Sequence, residues 1–249
     1  MKISIVTVVY RAERTIAEAL ESVAGQSWPE VEHVVVDGAS PDRTLDVIRA
    51  HEGDNMVIVS EPDEGIYDAL NKGYGLTTGD VVGIVHADDV LANDKVLERV
   101  AAEFSDPDVD AVYGDLNYVA KDTPGRIIRH WRAGEFSRAR LRAGWMPPHP
   151  TMFLRRRVFE AHGLFDTSFR IAADYDQILR YFGTAGIRAA YVPEVLVNMR
   201  VGGESNRSIP AILRKSREDY RALRKNRIGG VGTLLGKNLS KIPQFVLRG

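Results

Sequence analysis

From Ile3 onward the chain alternates short apolar runs with stretches of helical periodicity, and this alternation constrains the fold more than any other feature. Ile3–Val9 is a continuous run of strand length, after which Ile16, Ala19, Leu20 and Val23 recur at helical spacing as far as Gly25. Val31–Asp37 reads as a second strand closed by Gly38-Ala39-Ser40, with Asp42 as N-cap of a helix carrying Leu45, Val47 and Ile48. Met56–Ser60 gives a third strand, Ile66–Leu76 a short helix, Val81–Val85 a fourth strand and Val96–Phe104 another helix. Repeated β–α units of this length predict a parallel sheet with helices on both faces.

Ligands of such sheets sit beyond the carboxyl ends of the strands. At those ends stand Val9-Tyr10-Arg11, Asp37-Gly38 and His86-Ala87-Asp88-Asp89. Carboxylates gathered at one edge repel each other unless a cation or a hydrogen-bonded ligand offsets them. Mg²⁺ or Mn²⁺ would do so and would share its coordination with substrate phosphates. Asp88 and Asp89 read equally well as caps of the following helix; Asp37 on the same edge favours a site.

Cysteine is absent from the 249 residues, which excludes disulfides and thiolate metal sites and fits a reducing compartment. The opening apolar run is broken by Arg11, Glu13 and Arg14, so it reads as a buried strand rather than a leader. No stretch of about 18 apolar residues is present to span a bilayer. The net charge of −1 hides an asymmetry: residues 1–125 hold 9 Lys/Arg against 25 Asp/Glu, and residues 126–249 hold 24 against 9. A basic rear half suits anionic lipid or a pyrophosphate-linked acceptor, and no recognition motif accompanies it to suggest nucleic acid.

The segments TVVYRAERTIAEALESVAGQSWPEVEHVVVDGASPDRTLDVI and DEGIYDALNKGYGLTTGDVVGIVHADD resemble the family-2 inverting glycosyltransferases of the GT-A fold. The likeness runs from Ile3 to about Ser208. GWMPPHPTMFLRRRVFE, FDTSFRIAADYDQILRYF and VLVNMRVGGESNRS resemble a subgroup that makes bacterial surface polysaccharides and glycolipids. The resemblance implies a GT-A α/β domain over 1–206, a Rossmann-like mixed sheet flanked by helices, with a nucleotide-binding half to 115 and an acceptor half from 116, followed by a basic helical tail over 207–249. It implies transfer of a sugar from a UDP- or GDP-linked donor to a glycan or lipid-linked acceptor, with inversion, on Mn²⁺ or Mg²⁺. Such an enzyme would be cytoplasmic, or peripheral on the cytosolic face of the inner membrane.

Carried over by position, Thr7, Val8 and Tyr10 would border the nucleotide base, and Asp37 would bond the base or its ribose. Gly65 and Lys72 lie in the next donor stretch, Lys72 toward base or phosphate. His86-Ala87-Asp88-Asp89 occupies the place of the family's metal motif, with His86 where a carboxylate is usual, Asp88 as metal ligand and Asp89 as a second ligand. The family's late His has no counterpart in Met199-Arg200-Val201-Gly202-Gly203. Asp174 takes the place of the general base that accepts the acceptor's proton, although the Glu that usually precedes it is Ala173 here. Read without the family, Asp174 is a first-turn acid complementing its helix dipole, and Asp176 is the next acid available.

His149, among the prolines of Trp145–Pro150, would face the acceptor. Gly202–Asn206 would form a loop over the diphosphate, and Arg155-Arg156-Arg157 reads as a solvated strand end. In the tail, Val231, Leu234, Leu235, Leu239, Ile242, Phe245 and Val246 recur at helical spacing with Lys237 and Lys241 among them. That pattern fits an interfacial helix on anionic lipid or a helix packed on the domain. A sugar-nucleotide-forming nucleotidyltransferase would need a glycine-rich loop where Tyr10-Arg11-Ala12-Glu13 stands, and a dehydrogenase would need Gly-x-Gly-x-x-Gly there. A catalytically inactive sugar-nucleotide-binding protein is the remaining alternative.

Overall fold

The computed structural model describes residues 1–121, 125–201 and 209–239. Four strands from the front half form the parallel part of one sheet: β1 (Ile3–Val9), β2 (Val31–Asp37), β3 (Met56–Ser60) and β4 (Val81–Ile84), in the order β3-β2-β1-β4. Every residue of β1 is buried, as expected of a strand covered on both faces. Its side chains alternate between two cores: Val6 and Val8 pack with α3 (Ile66–Leu76), and Ile3, Ile5 and Val9 with α1 (Ile16–Ala24) and α4 (Val96–Glu103). Helix α3 lies so close to the sheet that a Cβ on Gly73 would stand 2.4 Å from Val6. Helix α2 (Thr44–Ala50) begins just after Asp42, whose carboxylate accepts the Thr44 N–H at 3.2 Å.

Beyond β4 the sheet ceases to be parallel. β8 (Phe153–Arg155) runs antiparallel to both β4 and β6 (Ala111–Val119), and β9 (Ala189–Arg200) runs parallel to β6. The two-residue β5 (Val90–Leu91) pairs with the end of β9, and β7 (Ile127–Trp131) hangs on β6 as a hairpin. The front-half strands are parallel as expected, and with the second half the whole is the mixed sheet that the resemblance implies, nine strands among the described residues. The expected boundary at residue 115 falls inside β6, so both halves share this sheet.

Short helices α5 (Arg138–Arg142), α6 (Arg156–His162) and α7 (Ala173–Ile178) flank its second half. A π-helical turn over Leu179–Ala185 extends α7. A 3₁₀ turn at His149–Thr151 leads into β8. The arginines beside it are staples rather than a solvated end: Arg155 donates to the carbonyls of Phe104 and Val109, Arg156 to Gly79, and Arg157 pairs with Asp110.

Helices α8 (Ile209–Lys225) and α9 (Val231–Leu239) close the described chain. The expected Gly202–Asn206 loop and residues 240–249 lie outside the described residues. Among those described, no helix is long and apolar enough to cross a membrane.

Candidate active site

The front of the cleft is built by the ends of β1 and β2. Asp37, the last residue of β2, is fully buried; it accepts the Ser60 hydroxyl at 2.6 Å and the Ser40 N–H at 3.1 Å. Arg11 and Ala39 both adopt the left-handed conformation, at φ 54° and 56°, and the Arg11 N–H bonds Ser40 Oγ at 2.9 Å. Non-glycine residues held there cost about 1–3 kcal/mol each and cluster at ligand-binding edges.

Tyr10 presents an exposed ring beneath the Arg11 guanidinium. Thr7 and Val8 are placed differently: both side chains are buried in the sheet, Thr7 bonding His33 Nε2 at 2.9 Å. Gly65 starts α3 at φ 118°, a conformation L side chains rarely adopt. Lys72 Nζ is held by the Pro62 carbonyl at 2.8 Å and by Glu61 at 2.9 Å. The Glu61 bond raises its pKa.

The turn after β4 carries the second group. Asp88 is exposed, whereas Asp89 is buried and accepts the Arg200 N–H at 3.1 Å. Burial, reinforced by the neighbouring Asp88 charge, raises the pKa of Asp89 well above the usual carboxylate range. The Arg200 side chain bonds the Asp88 carbonyl at 3.2 Å and pairs with Glu18. Antiparallel pairing of β5 with β9 brings these parts together across more than a hundred residues.

His86, at the head of the same turn, reaches toward the acceptor half. Its Nε2 lies 3.1 Å from Nε2 of His149, and His149 Nδ1 lies 3.5 Å from Asp174 Oδ2. Burial and the adjacent imidazole push His86 down to about 3, and burial lowers His149 despite the Asp174 charge. Two neutral rings in contact through Nε2 need one donor and one acceptor. With His149 Nδ1–H toward the carboxylate, His86 donates and its own Nδ1 stays an acceptor.

Asp174 keeps a partly accessible side chain, with 22% exposed. Tyr67, from the first turn of α3, donates to the Ile171 carbonyl at 2.7 Å and approaches Asp174 Oδ1 at 3.3 Å. Burial and the Asp174 charge raise the Tyr67 pKa, so the phenol stays protonated. Asp174 does not cap α7. Glu218 of α8 holds the loop that leads into α7: its carboxylate accepts the N–H groups of Arg170, Ile171 and Ala172 at 3.3, 2.8 and 3.0 Å. Asp176 is fully buried and held by Asn226 at 2.9 Å and Lys225 at 3.0 Å, out of reach of a substrate. Trp145, expected to line the acceptor side, anchors its indole N–H on the Ala133 carbonyl at 2.8 Å.

Sequence reading missed Tyr67 and Glu218, whose partners lie far away in the chain. The His86–His149 pair was within reach, since two histidines at strand-end turns next to acids is a legible signal. As for a metal, no group of three His, Cys, Asp or Glu gathers to hold one among the described residues. The donor set instead fits a hard cation completed by substrate phosphates and water, with Asp88 as the accessible carboxylate.

Carboxylates brought from two halves of the chain to the strand ends of one mixed α/β sheet suit a group-transfer enzyme that binds a nucleotide. The model of the glycosyl transferase family 2 matches residues 4–163, and the chain belongs to that family. A PGL/p-HBAD biosynthesis glycosyltransferase of Mycobacterium bovis is 32% identical over 208 residues, covering 82% of this chain and 78% of the relative. An uncharacterized glycosyltransferase of Mycobacterium tuberculosis is 29% identical over 181 residues, 72% of this chain and 68% of the relative.

Two solved structures share the fold. A Pyrobaculum calidifontis mannosyltransferase in complex with GDP-Man and Mn²⁺ superposes with a TM-score of 0.69 at 21% identity, covering 98% of this chain and 70% of that one. TarS 1–349 of S. aureus gives 0.69 at 22% identity and covers 92% of this chain. The present chain spans 65% of that TarS chain. The fold is the GT-A fold, and the protein is a glycosyltransferase.

Proposed function

We propose that the chain transfers a sugar from a uridine- or guanosine-diphosphate donor to a hydroxyl of a glycan or lipid-linked acceptor, with inversion at the anomeric carbon. The observation that carries this reading is the contact His86–His149–Asp174, which links the turn that carries Asp88 to a partly accessible acceptor-side carboxylate. Solved relatives bound to UDP-GlcNAc and to GDP-Man with Mn²⁺ support the donor class.

Asp174 accepts the proton of the acceptor hydroxyl as its oxygen forms the new bond to the anomeric carbon. The bond from that carbon to the diphosphate breaks, and its electron pair leaves with the diphosphate. Asp88 is the residue that would hold Mn²⁺ or Mg²⁺, and the ion when bound neutralises charge on the departing diphosphate. Asp89 fixes the turn through Arg200. His149 orients Asp174, and Tyr67 holds the carboxylate from the other side.

The test is release of nucleoside diphosphate from a panel of UDP- and GDP-sugars, with and without Mn²⁺. Excess chelator and Asp88→Ala are expected to abolish release; undiminished turnover in chelator would exclude the metal role. If donors bind and none is turned over with any hydroxyl acceptor, the chain is a sugar-nucleotide-binding protein instead.

A further inference from the structure

Helix α8 has two unlike faces. Inward, Ala222 and Leu223 are buried in the core and Glu218 holds the loop that leads into α7, the helix that carries Asp174. Lys215 comes close enough to His149 for its charge to lower the imidazole's proton affinity. Outward, Leu213, Arg214, Arg217, Tyr220, Arg221 and Arg224 are all exposed. At 3.6 residues per turn they fall within roughly a third of the helix circumference. That arc contains four arginines and no acid.

Arg170, from the loop before α7, adds a fifth arginine across a shallow groove of ≈ 680 Å³. Arg221 is fixed there by Ser168 Oγ at 2.6 Å and lies over the Phe169 ring. Among the described residues none of these arginines is paired with a carboxylate. Glu218 at the groove's rim is engaged by three backbone N–H groups.

We propose that this outer face of α8 is a docking surface for an anionic lipid bilayer, which sets the Asp174 cleft beside the headgroups. Charge complementarity argues for that occupant, and so does the mixture of residues. Arginines extend to phosphates while Leu213, 62% exposed, and Tyr220, 40% exposed, enter the interface between them. A rod of nucleic acid would use the arginines but leave Leu213 without a role.

Of the two roles that the sequence left open for the tail, helix α9 takes packing on the domain, turning Thr233 and Lys237 into the protein, and the lipid-facing role falls to α8. The proposal deepens the lipid-linked acceptor reading and rests on it for its purpose, though not for the binding itself. Acceptors carried on lipid would then meet Asp174 without leaving the bilayer surface.

The test is co-sedimentation of the full-length protein with phosphatidylcholine vesicles, with and without phosphatidylglycerol. Wild type is expected to bind only the anionic vesicles and to be released by added salt. Arg214→Gln/Arg217→Gln/Arg224→Gln should bind on the order of 100-fold more weakly, from about fivefold per arginine. Arg43→Gln/Arg49→Gln/Arg99→Gln, which removes the same charge from α2 and α4 and the loop before α2, should bind like wild type.

Equal binding to neutral vesicles, or equal loss in both triple variants, overturns the proposal. So does saturable binding of a DNA duplex with no binding to anionic vesicles. Turnover of a soluble donor should be unchanged in the Arg214/Arg217/Arg224 variant. If vesicles bind but no donor is ever turned over, the functional reading fails and the docking surface stands.

Discussion

Asp174 and Asp176 stand two residues apart on α7 and meet opposite fates. Asp174 has an accessible carboxylate edge, whereas Asp176 is enclosed by Asn226 and Lys225. Asp174→Asn is therefore expected to lower transfer by roughly 10²–10⁴-fold, the usual contribution of a general base. Donor affinity and the urea midpoint should stay near wild type. Asp176→Ala should show the reverse pattern, losing about 1.5–3 kcal/mol of stability with its charged hydrogen bonds. Denaturant titrations beside donor turnover will read both; loss of activity in the Asp176 variant at unchanged stability would shift the base. His149→Ala removes the group that orients Asp174 and should lower kcat by up to about 100-fold with little change in donor KM. The two acids were equally visible in the sequence, and only the approach of α8 from some fifty residues away tells them apart.

At the scale of elements, the front β–α units were legible because β1, β2 and β4 are covered on both faces and carry unbroken apolar runs, as Val34, Val35 and Val36 in β2 illustrate. Strands β6 and β9 were not. β6 carries Asp115 and Asn117 inside the sheet, where Asp115 accepts the Ala133 N–H at 2.8 Å and the Tyr191 hydroxyl at 2.7 Å. Polar residues whose partners come from elsewhere erase the pattern that sequence reading depends on. His33 in β2 is a related case with a measurable consequence. Burial pushes it down to about 4 from an ordinary 6.5. The unfolded chain thus takes up a proton below about pH 6.5 that the folded chain refuses until about pH 4. Stability should fall as pH drops across that window, by about 3 kcal/mol for this group, and level off below it. His33→Gln should remove that share of the decline in urea melts at pH 7 and pH 5. An identical slope in the variant would show that another group dominates.

For the whole molecule, the question is whether the basic C-terminal region is an appendage or part of the catalytic body. Its sequence allowed both, since Val231, Leu234 and Leu235 suit lipid or protein equally well. Packing decides for α9. A Cβ on Gly144 would stand 2.2 Å from the Lys237 nitrogen, and one on Gly236 would stand 2.2 Å from the Ala143 carbonyl, so two backbones meet where only glycine fits. Lys237 is buried, pairs with buried Asp219 of α8 at 2.8 Å, and lies 3.3 Å above the ring of Tyr175, the neighbour of Asp174. Burial lowers the Lys237 pKa while the Asp219 charge opposes that. Breaking such a pair from one side leaves an uncompensated buried charge and costs about 3–5 kcal/mol, whereas replacing both partners by apolar residues is often neutral. Lys237→Met is accordingly expected to lose that amount, and Lys237→Met/Asp219→Leu to regain most of it. A chain ending at residue 228 should lose at least as much as Lys237→Met, because the same Asp219 is exposed to its loss together with the packing of Leu234. Donor turnover should fall in step with stability in the truncated chain. If that chain instead keeps wild-type stability and turnover, α9 is an appendage after all and its buried lysine is dispensable.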